Sequence, residues 1–300
     1  MSMRTYILVT PCKDEEYSLP KLAESVINQK MKPELWVIVD DGSTDKTPQI
    51  LQELTMSHDW IRSVRLDETP RDLGIHVAHV YRVGFDHALE YCDNNNISYD
   101  HVGVADSDVV LDDNYFEYLM NELEMNPKLG ICSGRIGSTV NGKILWDRDR
   151  EDLPTGGARL WNKKCFEETG GYLLTCSPDS IAIVKAKLRG WETKKFDDVK
   201  MISLRPFAGA EGQWIGYKKM GSNNYHIGFT PLHILLKGVK LLWSKDDFHK
   251  NGVGIPYMLG YFTEYLKRAP RIDDKEVIDY YRNTRLKEIL CLKIIHRKTR

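Results

Sequence analysis

The sequence has no paired cysteine motif. Its six cysteines, Cys12, Cys92, Cys132, Cys165, Cys176 and Cys291, are scattered, with no CxxC pair and no Cys/His spacing that would build a zinc site. Reduced, mostly buried thiols are expected. Long hydrophobic runs are missing too. The opening stretch MSMRTYILVTPCKDEE meets Pro11 and a charged cluster after a few apolar residues, too few for the apolar region of a signal peptide. No other stretch approaches the roughly 18 uninterrupted apolar residues that span a bilayer. A cytoplasmic location is expected. Nor does one charge prevail, because 42 basic residues stand against 43 acidic ones. That balance excludes a global attraction to nucleic acid, so any preference for a charged partner must be local. Internal repeats and low-complexity tracts are absent.

What is present reads as α/β. A chain of 300 residues holds one large domain, or one domain with a smaller appendage. Short β-branched runs alternate with amphipathic stretches over the first two-thirds, the pattern of a parallel or mixed sheet covered by helices. Strands are expected at Tyr6 to Thr10, Leu35 to Val39, Ile61 to Leu66, His101 to Ala105 and Leu129 to Ser133. Helices are expected at Leu19 to Gln29, from an Asp45 cap to about Ser57, at Ile75 to Tyr91, at Tyr115 to Met125 and at Asp179 to Leu188, where Gly190 ends the last one. Asn141 to Gly157 reads as a long loop. Beyond about Pro206 apolar residues fall at helical spacing through Pro231 to Trp243, Pro256 to Leu266 and Val277 to Ile295. The expected organisation is a domain over 1–205 and a helical C-terminal extension over 206–300.

Two acidic clusters follow apolar strands. In Asp40-Asp41-Gly42-Ser43-Thr44-Asp45, carboxylates at a strand end point into the crevice where open α/β sheets bind ligands, and they can accept from a nucleotide's base or ribose. A turn with a helix cap would need only Asp45. In Asp106-Ser107-Asp108, two hard carboxylates one residue apart suit Mg2+ or Mn2+, whose remaining positions take water and substrate phosphate. Such an ion would neutralise the charge growing on a departing diphosphate.

With Thr10-Pro11-Cys12-Lys13-Asp14-Glu15-Glu16 and Gly170-Gly171-Tyr172, these clusters occur in the order and approximate spacing of the family 2 glycosyltransferases, which the chain resembles over roughly residues 4 to 205. Asp179, with Gly190 eleven residues later, matches the family's catalytic Asp and helix-ending Gly. The resemblance implies a GT-A fold (the nucleotide-diphospho-sugar transferase fold), an inverting mechanism, and a UDP-, GDP- or dTDP-sugar donor. It implies Mn2+ or Mg2+ as cofactor and a glycan or lipid-linked acceptor, such as a polysaccharide precursor. By the same resemblance Pro11 and Glu15 belong to the first donor-site loop, Asp40 and Asp41 to base recognition, and Asp106 and Asp108 to the ribose, diphosphate and metal site. Asp179 falls on the general base, and His226 on a histidine that meets metal or diphosphate in many relatives. The family usually has Glu-Asp where this chain has Pro178-Asp179. Where it usually carries Asn-x-Gly and Arg-Asn, this chain has Asp72-Leu73-Gly74 and Arg82-Val83-Gly84.

Gly156-Gly157-Ala158-Arg159-Leu160-Trp161 reads in two ways, as an acceptor-side stretch whose Trp161 stacks on a sugar or as a turn before a core tryptophan. The charged run Trp146 to Asp152 is either a solvated loop or an acceptor lid. Leu232, Leu235, Leu236, Val239, Leu242 and Trp243 form one helical stripe with Lys237 and Lys240 off it, which suits either packing or an interfacial helix. The last sixteen residues carry six Lys or Arg against Glu288 alone, a composition for peripheral contact with an anionic membrane. Two rivals remain: a sugar-1-phosphate nucleotidylyltransferase, which should show a Gly-rich, Arg-containing loop after the first strand, and a non-catalytic nucleotide-sugar-binding scaffold. A dinucleotide-binding enzyme would need GxGxxG at Pro11-Cys12-Lys13-Asp14.

Overall fold

The computed structural model describes residues 4–67, 75–140, 143–147, 150–205, 212–243 and 252–285. Asp72-Leu73-Gly74, Arg148-Asp149, Cys291 and nearly all of the basic tail lie outside the described residues. The chain divides into two compact units, Met1–Leu174 with Pro178–Arg205, and Thr175–Ser177 with Pro206–Arg300.

The first unit is built on a mixed sheet. Strands β1 (Tyr6–Cys12), β2 (Leu35–Asp40), β3 (Ile61–Arg65), β4 (His101–Ala105), β5 (Val109–Leu111), β6 (Leu129–Val140), β8 (Ala158–Asn162) and β9 (Glu192–Ser203) lie in the order β3-β2-β1-β4-β8-β6-β9-β5, and β7 (Lys143–Trp146) pairs with β6. The run β3-β2-β1-β4 is parallel, whereas β8 is antiparallel to both β4 and β6. Strands β1, β2 and β4 are apolar almost throughout because helices cover both faces. On one face Tyr6, Leu8, Trp36 and Ile38 pack against α1 (Leu19–Ile27) and α4 (Tyr115–Met125), the latter through Phe116 and Leu119. On the other, Ile7, Val9, Val37 and Val39 meet α3 (Ile75–Asn95) through Phe85 and Ala88. α3 comes close because Gly84 has no side chain, and a Cβ there would fall 2.5 Å from Val9 Cγ1.

This is a GT-A-like nucleotide-sugar fold with a helical C-terminal extension, as the sequence led one to expect. Several elements differ from expectation. The stretch Asn141 to Gly157 is not wholly loop, because β7 forms a hairpin with β6. β9 pairs in parallel with β6 along its length, and its register skips from Phe196 to Lys200 at a bulge. Helix α2 (Thr47–Ser57) starts two residues after Asp45, whose Oδ1 still accepts from the Thr47 N–H at 2.9 Å. After the short α5 (Lys163–Glu168), α6 (Pro178–Leu188) ends as expected, with Gly190 at φ 85°. The five described cysteines are buried and unpaired.

The second unit holds α7 (Gln213–His226), α8 (Pro231–Leu242), α9 (Gly254–Lys267) and α10 (Lys275–Asp279). α7 and α9 touch backbone to backbone: a Cβ on Gly221 would meet the Tyr257 carbonyl oxygen at 1.9 Å, and one on Gly260 the Lys218 carbonyl oxygen at 1.9 Å. Among the described residues no helix is long and apolar enough to cross a membrane.

Candidate active site

Because β1, β2 and β4 are parallel, their carboxyl ends share one edge of the sheet, where such sheets bind ligands. Cys12 lies beside Asp40, and Asp106 directly follows β4. The antiparallel β8 brings its start to the same edge, with Ala158 opposite Ala105 and the Asp106 N–H donating to the Gly157 carbonyl at 2.7 Å. The two acid clusters and the Gly156-Gly157 turn, far apart in sequence, thus converge.

At the end of β2, Gly42 turns the chain at φ 65°. The buried Asp40 holds this turn: its Oδ1 accepts from the Ser43 N–H at 2.9 Å and its Oδ2 pairs with Arg65 on β3. Asp41 faces the other way, toward His76 Nε2 at 2.8 Å and Lys13 Nζ at 3.6 Å. Pro11 is the last but one residue of β1 and is partly exposed. Glu15 is buried, accepts from the Ser18 hydroxyl and pairs with Arg205, whose Nε also lies 3.8 Å from Asp108 Oδ2. Arg205 and His76 were not singled out from sequence. A cation at the end of β9 and a histidine at the start of α3 carry no local signal of the acids they meet.

Asp106 sits at the bottom of the crevice, where its Oδ1 accepts from the Tyr81 hydroxyl at 2.5 Å. Burial and the neighbouring Asp108 push its carboxyl up to about 8, and Asp179 adds to the shift. Asp108 is one-fifth exposed. Two hard carboxylates one residue apart fit a divalent cation that fills its other positions with water and phosphate. Among the described residues no group of three or more His, Cys, Asp or Glu lies close enough to form a closed metal cage. His226 has its partners within the helical unit, Nδ1 to the Pro270 carbonyl at 2.7 Å and Nε2 3.9 Å from Glu264.

Asp179 occupies the first turn of α6, its side chain 39% exposed and so open to solvent. Its charge is felt both by Asp106 and by Tyr172, whose hydroxyl hydrogen-bonds it. Tyr172 stacks on Tyr81 with ring centroids 4.6 Å apart. One stacked pair therefore directs one hydroxyl to Asp106 and the other to Asp179. Trp161 is 1% exposed and packs edge-on against Phe166, which makes it a core residue. The charged run is partly tied down, since Lys195 pairs with Asp147, and Arg150 and Lys187 with Asp152.

A mixed sheet whose parallel strands end in acids at one edge is the GT-A-like nucleotide-sugar fold. Residues 7–189 match the model of glycosyl transferase family 2, and the chain belongs to that family of sugar-transferring enzymes. It is 28% identical over 137 residues to poly-beta-1,6-N-acetyl-D-glucosamine synthase of Staphylococcus epidermidis, covering 44% of this chain and 30% of that protein. The synthase of Staphylococcus aureus (strain COL) is 26% identical over 144 residues, 47% of this chain and 31% of its own. The match thus spans under a third of these relatives. Among solved structures, the mannosyltransferase PcManGT from Pyrobaculum calidifontis, in complex with GDP-Man and Mn2+, has a TM-score of 0.54 at 15% identity, over 90% of this chain and 77% of that one. S. aureus TarS 1-349 in complex with UDP gives 0.51 at 13%, over 95% and 76%. At such identities the likeness is one of fold.

Proposed function

We propose that the protein is an inverting glycosyltransferase that moves a sugar from a nucleoside diphosphate donor to a hydroxyl of a glycan or lipid-linked acceptor in cell-envelope glycan synthesis. The observation that supports it most is the convergence of Asp41, Asp106, Asp108 and Asp179 on one sheet edge of a family 2 chain. Asp41 serves the nucleotide base, with Lys13 and His76 fixing its orientation, while Pro11 lines the donor loop. Asp40 and Glu15 act one step back by holding the turn and Arg205. Asp106 and Asp108 would hold Mn2+ or Mg2+, which when bound neutralises the leaving diphosphate. Asp179 takes the acceptor's proton as its oxygen attacks opposite the leaving group. The name of those synthases makes an N-acetylglucosamine polymer the first acceptor class to try. Thermal shift against a panel of UDP-, GDP- and dTDP-sugars with Mn2+ tests the donor. Stabilisation by one nucleotide class is expected, and no response to any of them would count against the assignment.

The protein is also proposed to attach to the cytoplasmic face of an anionic bilayer. Leu232, Leu235, Leu236, Val239 and Trp243 of the α8 stripe are each more than 40% exposed, with Trp243 at 76%. Ile234 and Leu241 on the opposite side are buried. The stripe spans the arc of an interfacial helix, and the basic sequence of 285–300 supplies charge attraction. Binding of the full chain to liposomes should rise with phosphatidylglycerol content and fall with salt, since such attraction is screened within about 10 Å at 0.1 M. Leu236→Glu should weaken it. Indifference to both lipid charge and Leu236→Glu would remove the idea.

A further inference from the structure

Arg159 projects from β8 with 1% of its surface exposed, an unusual place for a charge. Its guanidinium is held by three backbone carbonyls. Nε donates to the Thr155 carbonyl at 3.0 Å, Nη2 to the Pro154 carbonyl at 3.3 Å and Nη1 to the Asp179 carbonyl at 3.2 Å. Nη1 also lies 3.6 Å from Asp179 Oδ1. On the other side of that carboxylate stands Gly156, where an added Cβ would fall 2.4 Å from Asp179 Oδ2. The Tyr172 hydroxyl closes a third side.

The geometry points to Arg159 and Gly156 as a socket that positions the Asp179 carboxylate for the acceptor. Arg159 is a positioning residue, acting through Asp179, and the inference rests on Asp179 being the base. Only a planar fork of donors can meet three carbonyls and a carboxylate at once, so Lys keeps the charge but not the arrangement. Gly156 works by absence, because any side chain there must push the carboxylate aside, and the carboxylate is the more easily moved partner.

The test is a double-mutant cycle on the full chain, reading kcat and donor KM for sugar transfer and the melting temperature. Arg159→Lys and Gly156→Ala should each lower kcat about 10- to 100-fold, since a displacement of about 1 Å can cost about 100-fold. Donor KM should stay unchanged. In an Asp179→Asn background neither should lower the residual rate further, because the group they position no longer acts as a base. Equal losses in both backgrounds, or a wild-type rate for Gly156→Ala, overturn the socket. Should Arg159→Lys not fold, Gly156→Ala in the two backgrounds decides. A wild-type rate in Asp179→Asn itself overturns the base assignment instead.

Discussion

Asp179→Asn should lower the transfer rate by about 10² to 10⁴ while leaving donor affinity nearly unchanged. The substitution keeps size and hydrogen bonding but removes the basic oxygen. Asp179 stands in the first turn of α6, so a purely local role would be to favour the helix start. Asn serves a helix start as well as Asp does, and a local role would leave transfer intact. The carboxylate is also open to solvent on one side while Arg159 and Tyr172 hold it on others. That arrangement suits a proton acceptor more than a cap. Steady-state kinetics with a transfer assay, beside a melting curve, separates the two. A near-wild-type rate with an unchanged melting temperature would reject the base.

Asp108→Ala should act on the other substrate. If Asp106 and Asp108 hold a divalent ion that favours the donor diphosphate, losing one ligand removes a close charge contact, which costs about 2 to 5 kcal/mol. Nucleotide affinity should therefore fall by about 30-fold or more. EDTA should reproduce the loss in the wild type, and Mn2+ or Mg2+ should restore it there but not in Asp108→Ala. Arg205 sharpens the comparison, because it already sits against Asp108 and Glu15 and could substitute for part of a cation's charge. Isothermal titration with the nucleoside diphosphate, with and without metal, gives the answer. Equal affinity in all conditions would mean that the site works without an ion.

The acid motifs were legible because each follows a strongly apolar strand, and a parallel sheet sends such strand ends to one edge. Their division of labour was not. Asp40 and Asp41 are neighbours in sequence, yet Arg65 on the adjacent strand claims one while the other faces His76 and Lys13. Only the register of β2 against β3 decides that. β9 escaped notice because charged residues dominate it and a bulge breaks its alternation, although Phe196, Val199 and Met201 are buried. α7 shows little amphipathic pattern, since it packs through Tyr217, Gly221 and Tyr225 and by backbone contact with α9. Arg159 was hidden for a simpler reason: an arginine in a sequence is read as exposed, and its burial depends on carbonyls from two other segments.

The raised carboxyl of Asp106 makes the acid pair a store for a proton. In the folded, cation-free protein the group keeps that proton up to about 8, whereas the unfolded chain releases it near 3.8. Its contribution to stability is thus full below 3.8 and is lost as pH rises through about 8. An ion that claims the carboxylate must expel the proton first. Mn2+ affinity should therefore climb with pH and level off above about 8, and binding heats near neutrality should scale with the ionisation enthalpy of the buffer. Heats independent of the buffer would mean that Asp106 is already ionised. If the coupling holds, donor loading is also a deprotonation, and the occupancy of the donor site follows the acidity of its surroundings.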